Sequence, residues 1–282
     1  MIYYLMIILA TFMFSVQFVL NDGYRKETGN TWNASAKFAL YSSISGFVAL
    51  ALINKLHFEI SIFSLIVAVV YSIVCIGLTY SSIKAFTYAN LSVYSVFAMI
   101  GGMLLPFVYG IFCGEEFKVI RVVCCILIAI SVAMSIDKAK HSKKAIKYYM
   151  AVFTLNGLVG VISKFHQSYS ELCVDSGSFM MLTKIITALI CVALLLMEKD
   201  RSFYVSKKAL GYSALYSVVN SVGNLLLLIA LLHIPASVQY PVVTGGTIVF
   251  STLFVIMRKE KITIREVIAA VIAFAATIFM AF

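Results

Sequence analysis

Apolar residues occupy this chain in long unbroken stretches separated by short polar breaks, without the period-two alternation of a half-buried strand. The breaks delimit apolar runs at 2–20, 34–54, 61–83, 91–113 and 118–136, then a second set at 148–166, 178–197, 209–232, 236–257 and 265–282. Each approaches the roughly 20 residues a helix needs to cross the hydrocarbon of a bilayer. Backbone groups in lipid have no water to bond, so runs of this length close their hydrogen bonds internally as α-helices. The missing alternation argues against a transmembrane barrel. The pattern predicts an all-α membrane protein of about ten transmembrane helices, in the cell membrane.

Composition agrees with that reading and narrows it. Of 282 residues, 62% are hydrophobic and 12% charged, with a mean hydropathy of +1.01, too apolar for a soluble domain to cover its own surface. Ten spans nearly exhaust the length, leaving no room for a separate soluble domain. The net charge of +10 does not read as nucleic-acid binding, because Lys and Arg sit in the gaps between runs. Sorted by alternate gaps, one face collects Arg25, Lys26, Lys84, Lys147, Lys207, Lys208, Arg258 and others. The opposite face holds only Lys55, Lys118, Arg121 and Lys164. The charge rule predicts that both termini face outward and that the basic segment 137–147 is cytoplasmic. The first run has no charged leader and no obvious cleavage site, and reads as a retained span. Six cysteines, several inside apolar runs (Cys75, Cys124, Cys125, Cys191), form no CxxC and read as small packing residues. Neither a metal site nor a cofactor is indicated.

The basic segment divides the chain into 1–136 and 148–282, each with five runs. Placing Gly101-Gly102 on Gly245-Gly246 brings Glu116 onto Glu260 and Arg121 onto Arg265 without a gap. Nearby, Ala85–Val93 lies against Ala230–Val238, Tyr71-Ser72 against Tyr216-Ser217, and Lys37 against Lys184. An odd number of spans per half makes the halves opposite in orientation, the inverted-repeat plan of many secondary transporters.

The segment His233–Thr247, HIPASVQYPVVTGGT, resembles the third helix of the small multidrug resistance proteins: a Pro, a Tyr five residues on, then small residues and glycines. The turns Gly114-Glu115-Glu116 and Lys259-Glu260-Lys261 resemble an acidic turn in the same group. On these residues the chain is similar to the drug/metabolite transporter superfamily, and within it to the ten-helix EamA-like members. The resemblance implies a solute carrier with a central cavity between two halves, working by alternating access. Two positions depart from it. The membrane-embedded Glu of the small multidrug branch falls on Asn156, its first-half counterpart near Thr11, and the Trp after the Tyr falls on Val243. Asn and Thr carry no useful proton equilibrium, so proton-coupled cation export does not carry over. The ten-helix relatives also place both termini in the cytoplasm, against the charge count here.

Ionisable groups inside a span are functional candidates, since a charge in hydrocarbon costs at least about 2.5 kcal/mol unless paired or wet. Every Asp and Glu reads as lying in a loop or at a helix end. The interior exceptions are Lys37 and Lys184. Each either snorkels its stem to the headgroups or reaches a watery cavity and binds an anionic group. Gln17, Asn156, Asn220, Asn224 and Gln239 form a second tier, with Tyr71, Tyr94, Tyr216 and Tyr240 nearby. Asn220 and Asn224 share one helical face and either line a pore or bond a neighbouring helix. Tyr240 precedes Pro241, which frees a backbone carbonyl. Gly101, Gly102, Gly245 and Gly246 read as a close-packed seam on which the halves slide.

These features point to a secondary transporter of a small polar anionic or zwitterionic metabolite, partnered by the lipid bilayer and its solute, with a homodimer left open. A lipid or lipid-linked sugar flippase and a multidrug exporter are rivals within transport, and a membrane scaffold is the rival outside it. No HExxH or paired intramembrane aspartate is present, and His57, His141, His166 and His233 lie at run ends or in loops, which argues against an enzyme.

Overall fold

A computed structural model of the chain describes residues 2–88, 91–114, 119–135, 143–198, 201–259 and 263–280. Among them the backbone forms α-helices and no strand: α1 (Ile2–Thr28), α2 (Trp32–Ile53), α3 (Ile62–Ala85), α4 (Leu91–Phe112), α5 (Val119–Ser135), α6 (Lys143–Ser168), α7 (Ser176–Met197), α8 (Lys207–Leu231), α9 (Ala236–Met257) and α10 (Ile264–Met280). Eight, α1 to α4 and α6 to α9, contain stretches long and apolar enough to cross a membrane. The shorter α5 and α10 have 17 residues each. Large apolar side chains such as Ile62, Ile66, Val70 and Ile73 on α3 turn outward, a surface that water would not tolerate and lipid covers.

Short polar side chains start several helices by accepting bonds from otherwise unpaired first-turn N–H groups. Thr31 caps α2, Ser61 caps α3, Asp175 caps α7 and Ser206 caps α8. The first helix runs eight residues past its apolar run. Asp22 pairs with Arg25 at 2.8 Å and Lys26 at 2.7 Å, one turn on, so ion pairs extend the helix beyond the hydrocarbon. Gly29, at φ +85°, ends it. Asp22 therefore lies inside a helix and is buried, contrary to the sequence expectation, and Arg258 at the end of α9 approaches it at 3.6 Å. The sixth helix begins at Lys143, so the basic connection is shorter than 137–147. Its remainder lies outside the described residues, as do Glu115, Glu116, Lys118, Lys138, Lys140, His141, Lys199, Asp200, Glu260 and Lys261.

Helices from the first half of the chain pack chiefly on helices from the second. α1 lies against α8 and α9, α2 against α7 and α8, α3 against α6 and α7, α4 against α6 and α9, and α5 against α10. Hydroxyl-to-carbonyl bonds cross the same boundary. Ser15 donates to Thr247 at 3.1 Å, Ser72 to Thr183 at 3.1 Å, Ser131 to Ala269 at 2.6 Å, Thr244 to Met99 at 3.1 Å and Ser217 to Ser42. Such bonds suit helices in lipid, where apolar surface alone gives no preference for protein over solvent. Glycines bring backbones together along this boundary: a Cβ on Gly101 would collide with the Phe153 carbonyl, and one on Gly157 would sit 2.6 Å from the Gly101 carbonyl. Gly102 faces Asn156 of α6, and Gly246 faces Thr11 of α1. Gly245 is buried.

Candidate functional site

A cavity of about 180 Å³ lies between the halves, lined by α1 to α4 and α6 to α9. From α1 come Phe14, Gln17, Phe18 and Asn21, spaced three and four residues apart and so aligned on one face. From α3 come Tyr71, Cys75, Thr79 and Ser82 on a similar stripe. Tyr94, Ala98, Met99 and Gly102 of α4 face Asn156, Gly160 and Ser163 of α6. The second half adds Thr183, Lys184 and Thr187 of α7, Tyr216, Asn220 and Asn224 of α8, and Gln239, Tyr240, Val243 and Thr244 of α9.

Asn224, Asn220 and Gln17 are linked by hydrogen bonds along one wall, and Gln239 bonds α8 separately. Asn224 Nδ2 donates to the Asn220 carbonyl at 2.8 Å, Asn220 Nδ2 donates to Gln17 Oε1 at 2.5 Å, and Gln239 Nε2 donates to the Leu227 carbonyl at 2.9 Å. Asn156 Nδ2 donates to the Ala98 carbonyl at 2.6 Å, tying α6 to α4. Aromatic rings hold the tyrosines. Tyr94 lies over Phe86 at 3.9 Å, meets Phe18 edge to face at 5.0 Å and donates to Ser82 at 2.7 Å, while Tyr71 and Tyr216 contact Phe179 and Phe38. Tyr240 donates to the Gly160 carbonyl at 3.4 Å.

Lys184 is the cationic side chain of this lining, and no carboxylate lines the cavity among the described residues. Its stem passes Gly46 of α2, where a Cβ would fall 3.1 Å from Lys184 Cε and 2.6 Å from Ser221 Oγ and collide with Ser217 Oγ. Gly46 thus opens the gap through which Lys184 reaches inward. Lys37 is elsewhere: it is half-buried and donates to the Tyr204 carbonyl at 3.1 Å, beside Glu27 and Asn33 at one end of the bundle.

The cavity therefore gathers Lys184, Tyr240, Asn156, Asn220, Asn224 and Gln239, and leaves Lys37 out. Thr11 does not line it, since its hydroxyl turns back to the Ile7 carbonyl at 2.6 Å. Asn21, Thr79 and Ser82 lie outside the sequence-based candidates and Cys75 reads there as a packing residue, although the stripe Tyr71, Cys75, Thr79 and Ser82, at spacings of four, four and three, marks the three on α3. His166 is buried rather than at a wet end: Nε2 lies 2.8 Å from Ser64 Oγ, and the ring stacks on Phe179 at 3.9 Å. At the same end His57 approaches Glu59 at 3.3 Å and Asp175 at 4.0 Å. Their ligand-capable atoms lie within 4.8 Å of one another, a convergence that spacing in the chain did not reveal.

No protein-family model matches the chain, and no curated protein does. A solved crystal structure, described only as that of a protein, is similar in fold. It superposes with a TM-score of 0.60 at 13% identity, over 96% of this chain and 94% of its own. Likeness at that identity concerns the fold alone.

Proposed function

We propose that the chain is a secondary transporter of the drug/metabolite transporter type. It moves a small polar anionic or zwitterionic metabolite across the cytoplasmic membrane by alternating access between two inverted five-helix repeats, with α5 and α10 completing ten spans. The observation that carries this reading is Lys184, an amino group in a polar cavity between the halves with no lining carboxylate to balance it among the described residues. A solute with an anionic group supplies that balance.

Two further patterns support the repeat. Exchanging each helix with the one five places along converts α1–α8 packing into α6–α3, α4–α6 into α9–α1, α2–α8 into α7–α3 and α10–α9 into α5–α4, all of which occur. The lining positions recur as well. Phe14, Gln17, Phe18 and Asn21 reappear 142 residues on as Asn156, Val159, Gly160 and Ser163, and Tyr71, Cys75, Thr79 and Ser82 reappear 145 on as Tyr216, Asn220, Asn224 and Leu227. A site placed on such an axis is reachable from either side as the halves rock.

The ends of the bundle carry matching clasps. At one, the α7–α8 connection and the start of α8 bond α1 and α2: Asn33 to Glu198, Lys37 to the Tyr204 carbonyl, Tyr41 to the Phe203 carbonyl at 2.6 Å, and Lys208 to Glu27 at 3.0 Å. At the other, the α2–α3 connection bonds the region before and at the start of α7: Glu59 N to Ser178 Oγ at 3.0 Å and Ser61 to the Leu172 carbonyl at 2.7 Å. Alternating access opens one clasp while the other holds.

The test is a thermal-stability screen of the purified protein against metabolites, because a solute that binds the folded state raises its melting temperature. Stabilisers are expected to be anions or zwitterions, and to show saturable counterflow in proteoliposomes. Stabilisation by cations alone, or binding without counterflow, defeats the reading. Orientation is checked separately. A cysteine at exposed Tyr204, in a background lacking the native cysteines, is expected to resist impermeant thiol reagents in intact cells, and prompt labelling reverses the topology.

A further inference from the structure

Gln239 is 1% exposed, four residues into α9 from Pro235. Its Nε2 donates to the Leu227 carbonyl of α8, and its Oε1 has no partner among the described residues. Turning the amide over would set oxygen against the Leu227 carbonyl, so the bond to α8 fixes which atom is left over, and that atom is an acceptor. Asn21 Oδ1, on α1, is a second buried acceptor without a partner among the described residues. Asn220 and Asn224 each already commit their amide nitrogen to the protein. Gln239 Oε1 and Asn21 Oδ1 are enclosed in this conformation, with almost no accessible surface, so a donor reaches the Gln239 oxygen only as the lining moves to admit a solute beside Lys184.

We propose that Gln239 is a specificity-determining residue whose side-chain oxygen accepts a hydrogen bond from an N–H or O–H group of the solute. The solute is then a small anion that also carries such a donor, a 2-amino or 2-hydroxy acid or an amino-bearing phosphate ester. This rests on the anion-binding reading of the cavity. A buried acceptor without a donor is costly, and the solute's own N–H or O–H group supplies one when it is bound. A donor-free anion leaves the oxygen unbonded, and sites built to bond a donor reject analogues lacking it strongly.

The experiment measures affinities of the full-length protein in detergent for matched pairs: L-alanine and L-lactate against propionate, L-malate against succinate, and O-phosphoethanolamine against ethyl phosphate. In wild type the donor-bearing member is expected to bind at least about tenfold tighter than its partner. In Gln239→Met that gap collapses while the weaker member's affinity stays within about twofold. A merely structural loss lowers both members together. Should Gln239→Met fail to fold, Gln239→Asn, which withdraws the amide by one methylene, narrows the gap in the same direction. Equal affinities within the pairs, or a gap that survives Gln239→Met or Gln239→Asn, overturns the proposal and leaves the anion reading intact. Stabilisation by no member, or binding that Lys184→Gln does not weaken, overturns both.

Discussion

Lys37 and Lys184 stand on α2 and α7, helices that pack against each other, yet their surroundings are opposite. Lys37 lies five residues beyond Trp32 and bonds a loop carbonyl at the end of the bundle. Lys184 lies eight beyond Ser176 and lines the cavity. Three residues of helix amount to about 4.5 Å of depth and about 60° of rotation. That displacement separates a group held by a surface connection from one enclosed between the halves. Whether a lysine in an apolar run is an anchor or a binding group is decided by less than one turn.

The comparison breaks most sharply at Lys184. Lys184→Gln is expected to weaken binding of the anionic solute about 10- to 100-fold, the scale of a lost charge-assisted hydrogen bond. Lys184→Arg recovers part of that, because its planar fork does not match an ammonium. Titration calorimetry on variants matched by size-exclusion profile reads the difference, and equal affinities across the three forms would reduce Lys184 to an anchor like Lys37.

Gly46→Ala comes next, since its methyl group intrudes on Ser217, Ser221 and the Lys184 stem. It is expected to cost about 1–3 kcal/mol of stability through overpacking and to lower affinity by about tenfold. An unchanged melting temperature and affinity would show that Lys184 does not depend on that gap. A smaller, opposite effect is expected from Ala39→Lys placed in Lys184→Gln. Ala39 lines the cavity on α2, so a lysine there restores a few-fold of the lost affinity if depth, rather than the identity of the helix, is what counts. The least effect belongs to Lys37→Gln, with affinity within about twofold and stability within about 0.5 kcal/mol, as for most surface positions. A tenfold loss there would bring Lys37 into the binding machinery.

The run boundaries were legible because lipid imposes one rule on every span: long, apolar and helical. Expected and observed ends agree within a few residues except at α1 and α6. There, ion pairs around Asp22 and the lysines opening α6 let helix continue into the headgroup region, where hydropathy is silent. The carboxamides of the cavity were legible too, being conspicuous on apolar helices. Lys37 misled because matching positions along the two halves says nothing of depth to within a turn. Asn21, Thr79 and Ser82 passed unnoticed because small polar residues are as common in helix packing as in binding, and only three-dimensional convergence tells the two apart. Asp22 reads from sequence as lying in a loop or at a helix end because the apolar run stops at 20 while the helix continues to Thr28.

The hydroxyl-to-carbonyl bonds described above have a bearing on how the chain is made. Ser15, Ser72 and Ser131 belong to the first helices to leave the ribosome, and their acceptors at Thr247, Thr183 and Ala269 are synthesised only later. Until then α1 to α5 have few neighbours among themselves, and their polar faces must wait in or beside the insertion machinery. Assembly is therefore coupled to completion of translation. A truncated chain ending at the central connection is expected to be a substrate for quality control rather than a stable half, and the two halves expressed together from separate messages are expected to find each other in the same membrane.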